Sequence, residues 1–179
     1  MKVNMKVKRM AISAMIAALY FAACFAQGTF ASGAIQCRLS EGLCLLPLFF
    51  PEAIFGVALG CLIFNAVQST IYDVIFGTLA TVIAGIMTYF IGRLIKNDWV
   101  RIVLGGLPPV IMNALVVPGV LILGMGDTST YMYLFGTVGL GELIAVYVVG
   151  IIIYFPCKKL FTVLGLVEKP IQTNTLKNS

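Results

Sequence analysis

Apolar residues run almost unbroken along the chain, and short polar clusters divide the runs into six predicted helical segments. The first spans Met10–Gln27. A short apolar segment, Ser40–Phe50, follows and meets Pro47 and Pro51 at its end. The later segments are Glu52–Gln68, Asp73–Ile95, Trp99–Leu123 and Tyr131–Pro156, joined by Gly-, Ser- and Thr-rich linkers at Gly28–Cys37, Ser69–Tyr72 and Gly124–Thr130. Five segments have the length that crosses a bilayer, whereas Ser40–Phe50, at about 1.5 Å per residue, reaches only half way and is expected to be short or re-entrant. The pattern predicts an all-α integral membrane protein, a six-transmembrane-helix bundle in one domain over residues 1–179, with a flexible cytoplasmic tail at 165–179.

Composition agrees with this pattern. Sixty per cent of the residues are hydrophobic and 11% are charged, against about 25% charged in a soluble domain. Mean hydropathy is +1.03. The net charge of +5 is accordingly no nucleic-acid signal. Lys2, Lys6, Lys8 and Arg9 precede the first span. Arg93, Lys96 and Arg101 flank the fourth connection, and Lys158, Lys159, Lys169 and Lys177 follow the last span. With the N-terminus inside, eleven of the 12 basic residues are cytoplasmic and Arg38 alone lies outside, so both termini are expected in the cytoplasm at the cell membrane. A cleaved signal peptide ending near Ala31–Ser32–Gly33 is the rival reading, disfavoured because the apolar stretch exceeds the usual 7–15 residues.

Two absences exclude function classes. The chain has no histidine, which removes His-based metal sites and triads. It has no G-x-x-x-x-G-K-[ST] loop, so ATP hydrolysis by that route would belong to partner chains. No metal or cofactor is expected, and an intramembrane enzyme lacks a nucleophile with a base.

The few acids carry the chemistry. Asp98, Asp127 and Glu168 read as solvated surface. Glu52 follows Pro51 at a helix start, where the dipole favours an anion. Asp73 lies three after Thr70 in a capping-box-like start, and Glu41 follows a plausible N-cap, Ser40, with Arg38 near enough to pair with it. Glu142 lies some eleven residues into the last span, and a charge at that depth costs about 2.5–3.5 kcal/mol unless it has a partner or a wet cavity. Phe135, Gly139 and Glu142 share nearly one helix face, an arrangement suited to stacking and hydrogen-bonding a flat heteroaromatic. The alternative is an interhelical hydrogen bond from Glu142. Asp73, Gly77, Ala80 and Ala84 give the fourth span a small-residue face. Asn65 and Asn113 add polar groups that either bind ligand or join helices. Together these groups predict a pocket that opens outward.

Ala14, Ala18, Ala22 and Ala26 repeat at four-residue spacing on the first span, a stripe for internal packing or for docking to another membrane protein. Gly56 and Gly60 form a second stripe expected to be internal. The cysteines (Cys24, Cys37, Cys44, Cys61, Cys157) read as small apolar packing, with a Cys37–Cys44 or Cys24–Cys37 bridge as the alternative. Tyr72, Trp99, Tyr131, Tyr133 and Tyr154 are placed as an interfacial aromatic belt.

Three motifs then stand out. Gln36-Cys-Arg-Leu-Ser-Glu-Gly-Leu-Cys-Leu-Leu-Pro with Phe50-Pro-Glu-Ala resembles the R-[IV]-S-E-A-L…L-P…P-E-A signature of the QueT family, with Gly42 in place of the usual Ala. Asp73-Val-Ile-Phe-Gly-Thr-Leu-Ala-Thr resembles its D-[IV]-x-F-G-[ST]-L-A-T block, and Gly141-Glu142-Leu-Ile-Ala-Val-Tyr-Val-Val-Gly its G-E-x-x-x-x-Y-x-x-G helix. The likeness runs from about residue 10 to 156. It implies a substrate-binding (S) component of an energy-coupling factor (ECF) transporter. The implied activity is uptake of a queuosine precursor, 7-aminomethyl-7-deazaguanine, with a transmembrane coupling subunit and two cytoplasmic ATPase subunits as partners. On that resemblance Glu142 reads the guanine-like edge, Glu41 or Asp73 pairs with the ammonium, Asn65 and Asn113 complete the hydrogen bonds, and Phe135 or Phe76 stacks. Arg38 holds Glu41. The stripe Ala14–Ala26 resembles the alanine-patterned docking helix of S components. An S component for another vitamin or purine-like compound, or a proton-coupled carrier using Glu142, is the alternative function.

Overall fold

A computed structural model describes residues 4–28 and 38–167. Among these residues the chain is helical throughout. Helix α1 is Met5–Gln27, followed by a 3₁₀ helix at Leu39–Leu48, α2 at Glu52–Gln68, α3 at Asp73–Leu94, α4 at Asp98–Met125 and α5 at Tyr131–Val163. The six expected segments are all present. Four of them, α1, α3, α4 and α5, are long and apolar enough to cross a membrane. Their outward faces carry Met10, Ile75, Val103 and Ile152 exposed, as side chains that meet lipid rather than water.

The second segment differs from the expected short α-helix. It is a ten-residue 3₁₀ helix with Pro47 inside it, and every residue from Ser40 to Leu48 is buried. Runs of this geometry rarely exceed three or four residues; here the surroundings hold it. It packs against α1, α2, α3, α4 and α5, so it is the core of the bundle and neither a spanning nor a surface element. Its apolar side chains Leu45, Leu46, Leu48 and Phe49 join Phe50, Phe64 and Tyr154 in the main core cluster.

α1 packs on α2 through the expected glycine stripe. A Cβ on Gly56 would lie 2.7 Å from Ser13 O, and one on Gly60 would lie 2.6 Å from Tyr20 Cβ, so neither position accepts a side chain without separating the helices. Ser13 Oγ donates to Glu52 O at 2.6 Å across the same contact. α1 buries Ser13, Ile16, Ala17, Tyr20 and Cys24. Ala14, Ala18, Ala22 and Ala26 are exposed, so internal packing does not account for them.

The start of α1 and the end of α5 meet at one end of the bundle. There Arg9 pairs with Glu52 at 3.4 Å, Lys8 Nζ donates to Leu164 O at 2.8 Å, and Lys158 bonds Asp98. Asp98 is thus an ion-pair member rather than plain solvated surface. Leu166 is fully buried; most of the expected tail, 168–179, lies outside the described residues. Tyr72, Trp99, Tyr131 and Tyr133 are exposed, as a belt requires, but Tyr154 is fully buried. It packs on Phe49 and donates to Asp98 Oδ1 at 3.0 Å. Cys24, Cys44, Cys61 and Cys157 are free thiols; Cys37 and Ala31–Gly33 lie outside the described residues.

Candidate functional site

Both deep acids sit at departures from regular helix geometry. The first turns of α3, Asp73–Gly77, are π-helical, and α5 turns π-helical at Ile144–Val149, just after Glu142. Such single π turns inside α-helices often accompany functional sites. The apolar run on α5 gives no hint of one. The 3₁₀ helix presses against the α5 turn: a Cβ on Gly42 would lie 2.9 Å from Gly150 N. Glycine at the position where the family signature has Ala therefore corresponds to unusually close packing.

Six side chains expected in the site are buried: Arg38, Glu41, Asn65, Asp73, Asn113 and Glu142 are each at most 6% exposed. Contacts link them into one cluster. Arg38 pairs with Asp73 at 3.3 Å and lies over the Phe64 ring, 5.5 Å from its centroid. Ser69 Oγ donates to Asp73 Oδ2 at 2.8 Å, and Asn65 Nδ2 donates to Asp73 O at 3.1 Å. Gly77 makes room for this arrangement, since a Cβ there would lie 2.3 Å from Asp73 Oδ1. The small-residue face of α3 thus works as expected, with Asp73, Gly77, Ala80 and Ala84 all buried. Glu142 shares a hydrogen bond with Asn113, the interhelical contact that was the alternative reading of this residue, and interacts by charge with Glu41 and Arg38, which joins α4, α5 and the 3₁₀ helix to the α2–α3 group.

Three expectations about this cluster are corrected. Arg38 bonds Asp73 rather than its chain neighbour Glu41, whose carboxyl instead accepts from Tyr20 Oη and, at 3.0 Å, from Cys44 Sγ. Sequence proximity suggested the short pairing; the folded chain brings Asp73 to Arg38 from the start of α3. Neither Ser40 nor Thr70 makes the expected side-chain cap: Ser40 Oγ meets Cys24 Sγ at 2.8 Å, and Thr70 Oγ1 is without a hydrogen bond. Phe135 and Phe76 do not reach the cluster. Both are exposed, Phe135 in a groove of about 380 Å³ between α4 and α5 and Phe76 in one of about 210 Å³ beside Tyr72 and Val116. The buried stripe of α5 runs through Leu134, Val138, Gly141 and Glu142, and Phe135 lies to one side of it.

The sequence reading also missed several members. Tyr20 holds Glu41, Ser69 holds Asp73, and Cys61 accepts from Asn65 and Thr81, each at 3.4 Å. A phenol in mid-span is the one signal that pointed to Tyr20. The thiols and hydroxyls look the same in sequence whether they pack against helices or against acids.

Three amide and carboxyl oxygens remain open in the cluster. Asp73 Oδ1, Asn65 Oδ1 and Glu142 Oε2 are buried and have no hydrogen-bond partner, and an orphaned buried acceptor is costly enough that it calls for an explanation. All three are acceptors. Around them stand three carboxyl groups and one guanidinium, an arrangement that favours a ligand rich in N–H donors and carrying positive charge. Among the described residues no group of His, Cys, Asp and Glu is placed to hold a metal ion.

No curated protein and no solved structure matches the chain. A family model described as "QueT transporter" does match, over residues 10–159. That interval contains all five α-helices in whole or in large part, the 3₁₀ core and every member of the buried cluster. The chain belongs to the QueT transporter family.

Proposed function

We propose that the chain is the substrate-binding subunit of an ECF-type importer and that its buried cluster binds a cationic deazaguanine, 7-aminomethyl-7-deazaguanine, from outside the cell. The observation that carries this reading is the set of three unfilled acceptors, Asp73 Oδ1, Asn65 Oδ1 and Glu142 Oε2, in one buried cluster. A deazaguanine offers N–H donors on its pairing edge and a protonated aminomethyl group. Glu142 takes the pairing edge. Asp73 takes the ammonium, because both Glu41 oxygens are already engaged by Tyr20 and Cys44. Asn65 and Asn113 complete the hydrogen bonds. Arg38 holds Asp73 in place and keeps the empty site from carrying three uncompensated carboxylates.

Docking uses the exposed stripe Ala14, Ala18, Ala22 and Ala26, a face of α1 that the fold leaves free. A coupling subunit approaches there, two ATPase subunits supply the energy, and the ligand leaves on the inside. Both termini are cytoplasmic in this reading, which the charge asymmetry of the ends supports.

Calorimetry of the purified chain with 7-aminomethyl-7-deazaguanine, against a neutral deazaguanine lacking the ammonium, tests the ligand assignment. Saturable binding of the cation with much weaker binding of the neutral compound is expected; equal binding of both, or of neither, rejects it. Ala18→Leu and Ala22→Leu are expected to abolish uptake by the assembled transporter while the isolated subunit still binds ligand. Uptake that persists without the ATPase subunits would favour a proton-coupled carrier.

A further inference from the structure

Two apolar grooves flank α1 on the surface that faces lipid. One, of about 530 Å³, lies between α1 and α2 and is lined by Lys6, Met10, Ala14, Glu52, Phe55 and others. The other, of about 610 Å³, runs between α1 and α5, with Ile12, Leu19 and Ala23 on one wall and Ile153, Leu160 and Leu164 on the other. From Ile12 to Ala23 the α1 wall rises about 17 Å, close to the half-thickness of a hydrocarbon core about 30 Å deep.

The two grooves differ at the end where α1 begins. In the α1–α2 groove Lys6 stands beside Glu52, which also pairs with Arg9 at 3.4 Å, so an acid is already present at that mouth. Among the described residues no acidic side chain lines the α1–α5 groove. Lys8 lies one turn before Ile12 on the same face of α1. Its ammonium donates to Leu164 O, a neutral acceptor, at 2.8 Å, which places the charge between the two walls with donors to spare. A trough one leaflet deep that ends in a cation matches an anionic phospholipid: an acyl chain along the walls and a phosphate at the lysine.

We propose that the α1–α5 groove binds one acyl chain of an anionic phospholipid, with its phosphate on Lys8. The site is separate from the buried acid cluster, and its failure would leave the ligand assignment untouched. Native mass spectrometry of the detergent-purified chain, titrated with phosphatidylglycerol or phosphatidylcholine of identical acyl chains, tests it. One retained phosphatidylglycerol is expected, with about fivefold preference, the factor a single lysine contributes at an anionic surface. Lys8→Gln is expected to bring the two lipids to parity and Lys8→Arg to keep the preference. Ala23→Phe, which fills the far end of the groove, is expected to remove the retained lipid of either class. Equal retention of both lipids by the unaltered chain overturns the proposal, and that measurement decides even where a variant fails to fold. An undiminished preference in folded Lys8→Gln also overturns it. So does a photoreactive residue at position 153 that labels a protein chain instead of lipid in membranes.

Discussion

The two ends of the bundle each bury charged groups, and they use them in opposite ways. At the end where α1 begins and α5 finishes, Asp98 has both carboxyl oxygens engaged, one by Tyr154 and one by Lys158. Arg101 caps Leu48 O, the last carbonyl of the 3₁₀ helix, and lies 5.5 Å from the Phe49 ring centroid. That carbonyl is wedged so tightly against α3 that a Cβ on Gly92 would lie 2.6 Å from it. At the other end, acids outnumber cations and three acceptors stay empty. In the first arrangement both Asp98 oxygens are engaged and what is left over is a donor, Arg101 Nε; closed to a donor-rich ligand, it acts as a clamp that fixes the foot of the 3₁₀ helix. The second is incomplete without something that donates hydrogen bonds. What separates the two ends is therefore the kind of capacity left over, several acceptors gathered in one cluster against a single donor; burial and charge alone do not separate them.

Asp73→Asn tests that contrast most severely. It removes the Asp73 carboxylate from the buried Arg38 guanidinium, and breaking such a pair is worth about 3–5 kcal/mol of stability. The double variant Arg38→Met with Asp73→Asn is expected to recover most of the thermal stability and none of the ligand affinity. Recovery of both would make Asp73 a structural partner only. Glu142→Gln is the next largest effect. Affinity is expected to fall at least tenfold, since a charge-assisted hydrogen bond is worth about 1.5–3 kcal/mol, while the melting temperature of the empty protein stays put or rises. Unchanged affinity by calorimetry would remove Glu142 from the site.

Smaller effects are expected from the closed end. The Lys158–Asp98 pair is partly exposed, 38% and 29% at the two side chains, so Asp98→Asn is expected to cost no more than about 1 kcal/mol and to leave affinity unaltered. A tenfold affinity loss there would erase the distinction between the ends. Asp127 is the mildest case. Hydrogen bonds from Ser129 hold its carboxyl below the usual carboxylate range, and Asp127→Asn is expected to change neither melting temperature nor affinity.

Much of the architecture was legible because it rests on local quantities. Hydrophobic run length and the positions of Pro and Gly placed α2 at Glu52–Gln68 and the other long helices within a few residues of their ends, except that α5 continues past Pro156 to Val163. Charge rarity at depth drew attention to Glu41, Asp73 and Glu142, all of them buried. The same local view failed for Arg38, which was matched to Glu41 three residues away when its partner is Asp73, and for Phe76 and Phe135, whose ring chemistry suited a base but whose helix faces turn outward. It also took Tyr154 for an interfacial residue, because a tyrosine near a span end looks the same whether it meets headgroups or a buried aspartate.

The sequence by itself determined that this chain enters a membrane, in what order its helices follow, and which residues would be expensive to leave unpartnered there, because hydropathy and desolvation belong to residues and short windows. The tertiary structure alone decided that the second segment is a buried 3₁₀ core, that π turns lie beside the acids, that the alanine stripe faces away from the bundle, and which acceptors remain empty. Those outcomes depend on residues far apart in the chain competing for the same few hydrogen bonds and the same limited space, and a linear pattern carries no record of which competitor wins.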